Sequence, residues 1–199
     1  MIPLKPIANL KTHDVVNMPP HLGDQDLWQS NQALRETVAR EGADWATRHL
    51  AEFGKLAGSE ETFEMANQAN RYPPELHAFD RHGMRINQVK FHPSYHGLMQ
   101  LGVENGVAAF AWQNQRPGAQ VAHAALTYQF HQVEGGVMCP MAMVYSAIPA
   151  LRTTAAVASE WIPRLLSSEY DSRDLPVEQK TGATMGMFMT EKQGGVGCS

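Results

Sequence analysis

The residues whose types and order could do chemistry cluster at the end of the chain, in the run from Met187 to Ser199. Thr190 brings a hydroxyl and Glu191 a carboxylate into a Gly194-Gly195 turn, where backbone amides unhindered by a Cβ can approach a ligand closely. A strand-like run from Thr184 to Met189 is the element that would deliver them. After the glycine pair come Val196 and Gly197, which offer no side-chain donor. Thr190 to Gly195 could equally be an ordinary strand-to-turn junction, so the rest of the chain must decide.

Most other chemistries have no anchor. The sequence lacks a G-x-S-x-G elbow, an H-E-x-x-H helix, a Walker loop and a G-x-G-x-x-G turn, which removes the usual starting points for hydrolase, zinc-protease, nucleotidase and Rossmann readings. Of the nine histidines, His92 with His96 and His123 with His131 are the closest sets, and neither has companion cysteines or carboxylates at ligand spacing. They read as capping, surface or core residues, and no metal site is assigned. Met138, Met141 and Met143 beside Tyr145 suit a pliable acyl or flavin pocket, because thioethers fill irregular space, yet the same stripe is ordinary core material. Glu104, Glu134 and Glu169 are carboxylates without a geometry, so no catalytic residue is assigned.

The elements that would position the motif are helices punctuated by glycine and proline. A leader with Pro3, Pro6, Pro19 and Pro20 precedes a first helix from Ser30 to Glu41, closed by Gly42. Asp44 is the expected cap of a second helix, with Trp45, His49, Phe53 and Leu56 at helical spacing up to Gly58. Ser59, Glu60 and Glu61 open a third helix, closed between Asn70 and Pro74. Between Phe79 and Phe91, the Arg81-His82-Gly83 turn and β-favouring Ile86 and Val89 predict a small hairpin or irregular excursion.

His92-Pro93 suits the start of a fourth helix, with Tyr95, Leu98, Met99 and Val103 on its apolar face and Gly102 and Gly106 weakening its end. The longest clean helix is expected from Gly118 to Glu134, with Val121, Ala125 and Tyr128 on one face and a Gly135-Gly136 stop. The stretch from Pro140 to Leu151 is apolar almost all round and is expected to be buried on most sides, with Pro149 ending or kinking it. A last helix runs from about Ala155 to Ser168, followed by a polar segment from Glu169 to Lys180.

With 199 residues, 43% of them hydrophobic, the chain can bury a substantial core in one or two domains. Its 16 basic and 20 acidic residues give a formal charge of −4 with no basic cluster, which leaves no footprint for nucleic acid or an anionic membrane. Two cysteines, Cys139 and Cys198, fit a reducing compartment, so a cytoplasmic location is expected. No segment has the pattern of an export signal or a membrane span.

The order Met189, Thr190, Glu191, Lys192, Gln193, Gly194, Gly195 resembles the flavin-binding signature of the acyl-CoA dehydrogenase superfamily, and its Lys-Gln pair resembles the alkylation-response (adaptive response) branch. Val38-Ala-Arg-Glu-Gly42, Tyr72-Pro-Pro-Glu-Leu76, Val89-Lys-Phe-His-Pro93, Val133-Glu-Gly-Gly136, Cys139-Pro140 and Tyr170-Asp171 resemble that branch too, and they stand in its order. The likeness covers nearly the whole chain after about Val15.

It implies a mainly α fold. Residues 1–180 would be the N-terminal helical domain with its irregular leader, and 181–199 the truncated start of the FAD-binding β-domain, with that domain's first strand at the C-terminus. It also implies FAD as the cofactor of the full-length family member. Met189, Thr190, Glu191, Lys192, Gln193, Gly194 and Gly195 would be the cofactor-binding residues, Met189 packing on the flavin ring, Thr190 hydrogen-bonding its edge, and Gly194 and Gly195 bringing backbone to the pyrophosphate.

Other expectations carried by the resemblance are an acyl-CoA-like substrate, dehydrogenation at a CH–CH bond, a homo-oligomer, and a base that no residue of this chain matches. The family continues its glycine pair with Ser-Asp where Val196-Gly197 stand here. A gene reading TCG-GAT-GTT-C at that point, with one extra G before it, yields Val-Gly-Cys-Ser, the last four residues of this chain. The expectation is a frameshifted N-terminal piece, inactive as it stands, and an in-frame continuation one base away in the genome would establish it. The alternatives are a DNA-protecting binding protein of the alkylation response, disfavoured in this segment by its charge, and a non-catalytic helical fragment.

Overall fold

Side-chain caps set where the first helices begin. In the computed structural model, which describes Thr12, residues 16–19 and residues 22–188, Asn31 accepts from the Leu34 amide at 2.9 Å and opens α1, Gln32–Arg40. Ser59 accepts from the Thr62 amide at 3.2 Å and opens α3, Glu60–Arg71, whose first turn carries Glu60 and Glu61 at the positive end of the dipole. Between them, α2, Thr47–Ala57, grows out of a 3₁₀ turn at Asp44–Ala46. No side chain caps α2, which corrects the expectation for Asp44: that residue lies inside the 3₁₀ turn, so it cannot sit in the extended conformation a cap requires. Leu56 faces solvent, and Leu50, Phe53, Gly54 and Ala57 form the buried face.

The expected hairpin is present and begins earlier, with β1, Glu75–Phe79, antiparallel to β2, Arg85–Lys90. Asp80 shapes its turn, accepting from the amides of His82 at 2.8 Å and Met84 at 2.9 Å, while Gly83 takes a φ of 80°. His92 Nδ1 then accepts from the Ser94 amide, and Pro93 leads α4, Pro93–Glu104. The short α5, Phe110–Gln113, precedes α6, Ala119–His131, α7, Met138–Leu151, and α8, Ala155–Leu165.

Three expectations change here. Gly102 is a packing position on α4, since a Cβ there would meet Met141 at 2.3 Å and Phe130 at 2.9 Å. The longest helix among the described residues is α7, with 14 residues against 13 for α6, and it runs through Pro149 into its last turn. Although apolar nearly all round, α7 is also buried on one stripe only, that of Met138, Met141, Val144 and Ile148. Cys139, Ala142, Ser146 and Pro149 form an exposed stripe on the same helix. On α6 the buried face is Ala122, Leu126 and Phe130 with Ala119, His123, Ala125 and Gln129, and Tyr128 is left half exposed.

The core lies where α2, α4, α6 and α7 meet, around Leu50, Phe53, Leu98, Leu126, Phe130, Met141 and Ile148, each 1% exposed or less. The start of α6 is seated on the corner after α1: Gly118 has a φ of 80°, and a Cβ there would lie 2.2 Å from the Gly42 carbonyl oxygen. Gly118→Ala therefore combines a left-handed backbone with a backbone clash and is expected to cost at least about 2 kcal/mol, read from the urea midpoint. An unchanged midpoint would mean that this corner opens freely.

Candidate functional site

Two cavities flank α7. The first, of about 610 Å³, lies between the end of the hairpin, α4, α7, α8 and the segment from Glu169 to Thr184. Met99, Met141 and Val144 line its floor, and Tyr95, His96 and Tyr170 line its wall. The Tyr170 hydroxyl and His96 Nδ1 share a hydrogen bond of 2.8 Å; burial pushes the phenol pKa up and the imidazole pKa down, so both groups stay neutral. Burial, with Glu134 adding to it, also raises the Tyr95 pKa.

Two arginines fix the course of the chain beyond α8. Arg173 grips Asp171 through Nε at 2.8 Å and Nη2 at 2.7 Å, and this holds the carboxyl well below the usual carboxylate range. The Thr181 amide donates to the same carboxylate at 3.2 Å. Arg164 donates to the carbonyls of Glu160, Glu178 and Lys180. Gly182 passes so close to the Glu169 carbonyl that a Cβ there would overlap it. These contacts deliver residues 183–188 onto α7, where the Met187 amide donates to Met143 Sδ at 3.3 Å. Residues 183–188 take no regular secondary structure and pair with no strand.

The second cavity, of about 550 Å³, opens between α6 and α7 and is lined mostly by apolar atoms. Met138, Ala142 and Tyr145 come from α7; His123, Ala124 and Thr127 come from α6. His123 stacks on Tyr145 with ring centroids 4.0 Å apart, and burial pushes its pKa down to about 4, so the ring is uncharged near neutrality. The Tyr145 hydroxyl is committed to Gln120.

All seven residues expected at the cofactor, Met189, Thr190, Glu191, Lys192, Gln193, Gly194 and Gly195, lie outside the described residues. The described chain reaches Phe188, wholly exposed, one residue short of them. Met138 and Met141 are core residues that also line cavities, and Met143 receives the chain that leads to the motif. Glu134 is occupied structurally, accepting from the amides of Gly136 at 2.8 Å and Val137 at 2.6 Å. Among the described residues no three metal-ligating side chains converge, and no helix is long and apolar enough to cross a membrane. Sequence reasoning missed the two arginines; it weighed His123 only with His131 as a metal pair and Tyr145 only as a neighbour of the methionines, and the one signal for His123 was a histidine inside the apolar stripe of α6.

The sequence profile described as the adaptive response protein AidB N-terminal domain matches residues 17–172. Over 187 residues, 93% of the chain, the sequence is 44% identical to AidB of Escherichia coli (strain K12), a protein named for the acyl-CoA dehydrogenases. Over 148 residues, 73% of the chain, it is 28% identical to acyl-CoA dehydrogenase family member 11 of Caenorhabditis elegans. The fold superposes on the apo form of Bd2924 with a TM-score of 0.74 and 26% identity over 87% of the chain. It superposes on Caenorhabditis elegans ACDH-11, solved in complex with C11-CoA, with a TM-score of 0.71 and 22% identity over 96% of the chain. The chain spans 35% and 23% of the two sequence relatives, and 34% and 33% of the two solved chains.

Proposed function

The chain belongs to the adaptive response AidB N-terminal domain family, within the acyl-CoA dehydrogenases, and from that premise we propose that it forms the helical wall of a flavin and acyl-thioester site. What supports this reading is that α7 both lines an apolar cavity and receives the chain that leads to the motif. Met143 receives Met187, two residues before the motif, while Ala142, its neighbour on the helix, lines the apolar cavity. The contact that receives the chain leading to the motif and a residue lining the cavity are therefore neighbours on one helix. In this reading the acyl chain enters between α6 and α7, where an uncharged, mostly apolar lining with a thioether at Met138 suits hydrocarbon. The ACDH-11 complex with C11-CoA lends support by analogy.

FAD fits the approach to the motif in one respect and not in another. Phe188 and Met187 leave an open apolar face where a flat ring could lie, and Gly194-Gly195 suits a close backbone approach. Val196-Gly197 withholds the hydroxyl that the resemblance places at the phosphates. When bound, the flavin supplies hydride acceptance. This chain contributes the shape of the acyl slot, exclusion of water by Met138 and Tyr145, and, through Arg164 and Arg173, the course of the chain that leads to the motif.

The exposed stripe on α7 allows a direct test. Ala142 is exposed and lines the cavity, so Ala142→Phe fills the slot while leaving the core untouched. Decanoyl-CoA is expected to bind the wild-type chain saturably, and Ala142→Phe to weaken it at least about tenfold with little change in melting temperature. Equal affinity for both proteins would place the thioester elsewhere.

A second reading, self-association, is favoured by the hairpin. Its Leu76, Phe79 and Val89 are each half exposed or more on a two-stranded sheet, an arrangement of marginal stability alone. Sedimentation equilibrium of the wild type and of a Leu76→Lys, Val89→Glu variant separates an oligomer built through this face from a monomer.

A further inference from the structure

Polar groups in an apolar cavity either find partners in the protein or wait for a ligand to supply them. Around the α6–α7 cavity most are already committed. Thr127 Oγ1 donates to the His123 carbonyl at 2.8 Å, the Tyr145 hydroxyl donates to Gln120, and the Tyr128 hydroxyl accepts from Asn31 at 3.3 Å. Ser146 and His131 stand at the exposed rim.

His123 differs. It is only 9% exposed, it lines the cavity, and its Nδ1 is sealed from water with no hydrogen-bond partner. A sealed nitrogen without a partner costs less as a bare lone pair than as an orphaned N–H. The proton of the neutral ring therefore belongs on Nε2, the nitrogen that is not sealed. Tyr145, stacked face to face at 4.0 Å with 12° between the planes, fixes the ring's orientation.

We propose that His123 is a specificity-determining residue that selects acyl thioesters carrying an oxygen atom along the chain, hydroxyacyl or oxoacyl groups, over plain hydrocarbon chains. The inference rests on the acyl reading of this cavity. The Nε2–H donates to the chain oxygen, while the rest of the chain packs on Met138, Ala142 and Tyr145. A plain chain fills the same space and leaves the N–H without an acceptor. Sites built to hydrogen-bond a substrate oxygen reject the analogue lacking it for this reason.

The test is calorimetric titration of the purified chain with decanoyl-CoA and with hydroxydecanoyl-CoA thioesters whose hydroxyl moves carbon by carbon along the chain. At one position the hydroxylated thioester is expected to bind about tenfold more tightly than decanoyl-CoA. That preference disappears in His123→Phe and survives in part in His123→Gln, whose amide keeps a donor near Nε2. If His123→Phe does not fold, the ¹⁵N shift of His123 Nε2 in the wild type carries the test, moving with the hydroxylated ligand and not with decanoyl-CoA. The inference is overturned if no hydroxylated thioester binds more tightly than decanoyl-CoA, or if the preference survives in His123→Phe; in both cases the acyl reading stands. Absence of binding by every thioester overturns both.

Discussion

Phe130→Ala is expected to remove about 3–5 kcal/mol of folding stability, a large share of the ~5–15 kcal/mol a domain of this kind has to lose. The ring is fully buried, lies 5.7 Å from Phe53 at 60°, and fills the space left by Gly102, so its removal leaves a hole at the crossing of α2, α4, α6 and α7. A rigid helical crossing collapses poorly, which puts the cost at the upper end of large-to-small substitutions. The control is two residues away: Tyr128 is half exposed, and Tyr128→Ala should cost no more than about 0.5 kcal/mol. Urea midpoints of the two variants read the difference, and equal losses would mean that α6 is rotated from the orientation described.

Acid is expected to destabilise the fold through His123. Burial holds its folded pKa at about 4, whereas the unfolded ring titrates near its ordinary 6.5. Between those values the unfolded chain binds the proton and the folded one does not, so protonation favours unfolding. The stability contributed by the neutral ring is present in full above pH 6.5 and is lost as the pH falls towards 4, by roughly 3 kcal/mol in total. Unfolding free energies at pH 7.5 and 4.5 measure it. His123→Phe should flatten most of the slope; His96, also lowered by burial, leaves a remainder of the same sign. Asp171 acts in a separate window. Its folded pKa is depressed by Arg173, so its contribution is held above the ordinary carboxylate value and is lost only as the pH falls below about 4.

The parts legible in the sequence are those decided by local chemistry. Ser59 with its two acids, His92-Pro93 and the Arg81-His82-Gly83 turn each satisfy backbone groups within a few residues, and the elements begin or turn where they stand. What depends on distant neighbours was harder to see. Tyr128 and Leu126 lie on adjoining stripes of α6, and only the packing of α2 decides that Leu126 goes inside. The apolar composition of α7 suggested burial all round, but two exposed flanks of one helix, along a cavity and along the approach to a motif, produce the same composition. The bond from Tyr170 to His96 spans 74 residues, and Arg164 bonds to backbone carbonyls, so neither carries a spacing that sequence inspection could find, whereas Asp171 and Arg173 stand two residues apart. The family likeness was legible because its motifs keep their order, and the matching profile covers residues 17–172. The seven residues expected at the cofactor, Met189 to Gly195, lie outside that match and outside the described residues.

In the proposed reading, α7 is the shared wall of an acyl slot and a flavin motif. That claim is tested most directly by following methionine methyl resonances in the ¹³C-labelled chain while decanoyl-CoA is added. Met138, which lines the slot, should shift first and furthest, with Met143, at the approach to the motif, following at the same ligand concentration. Met65, packed beside Gly97 of α4, and Met99, in the other cavity, should stay where they are. Shifts centred on Met99, with Met138 unmoved, would contradict the claim and move the acyl site to the opposite side of the helix.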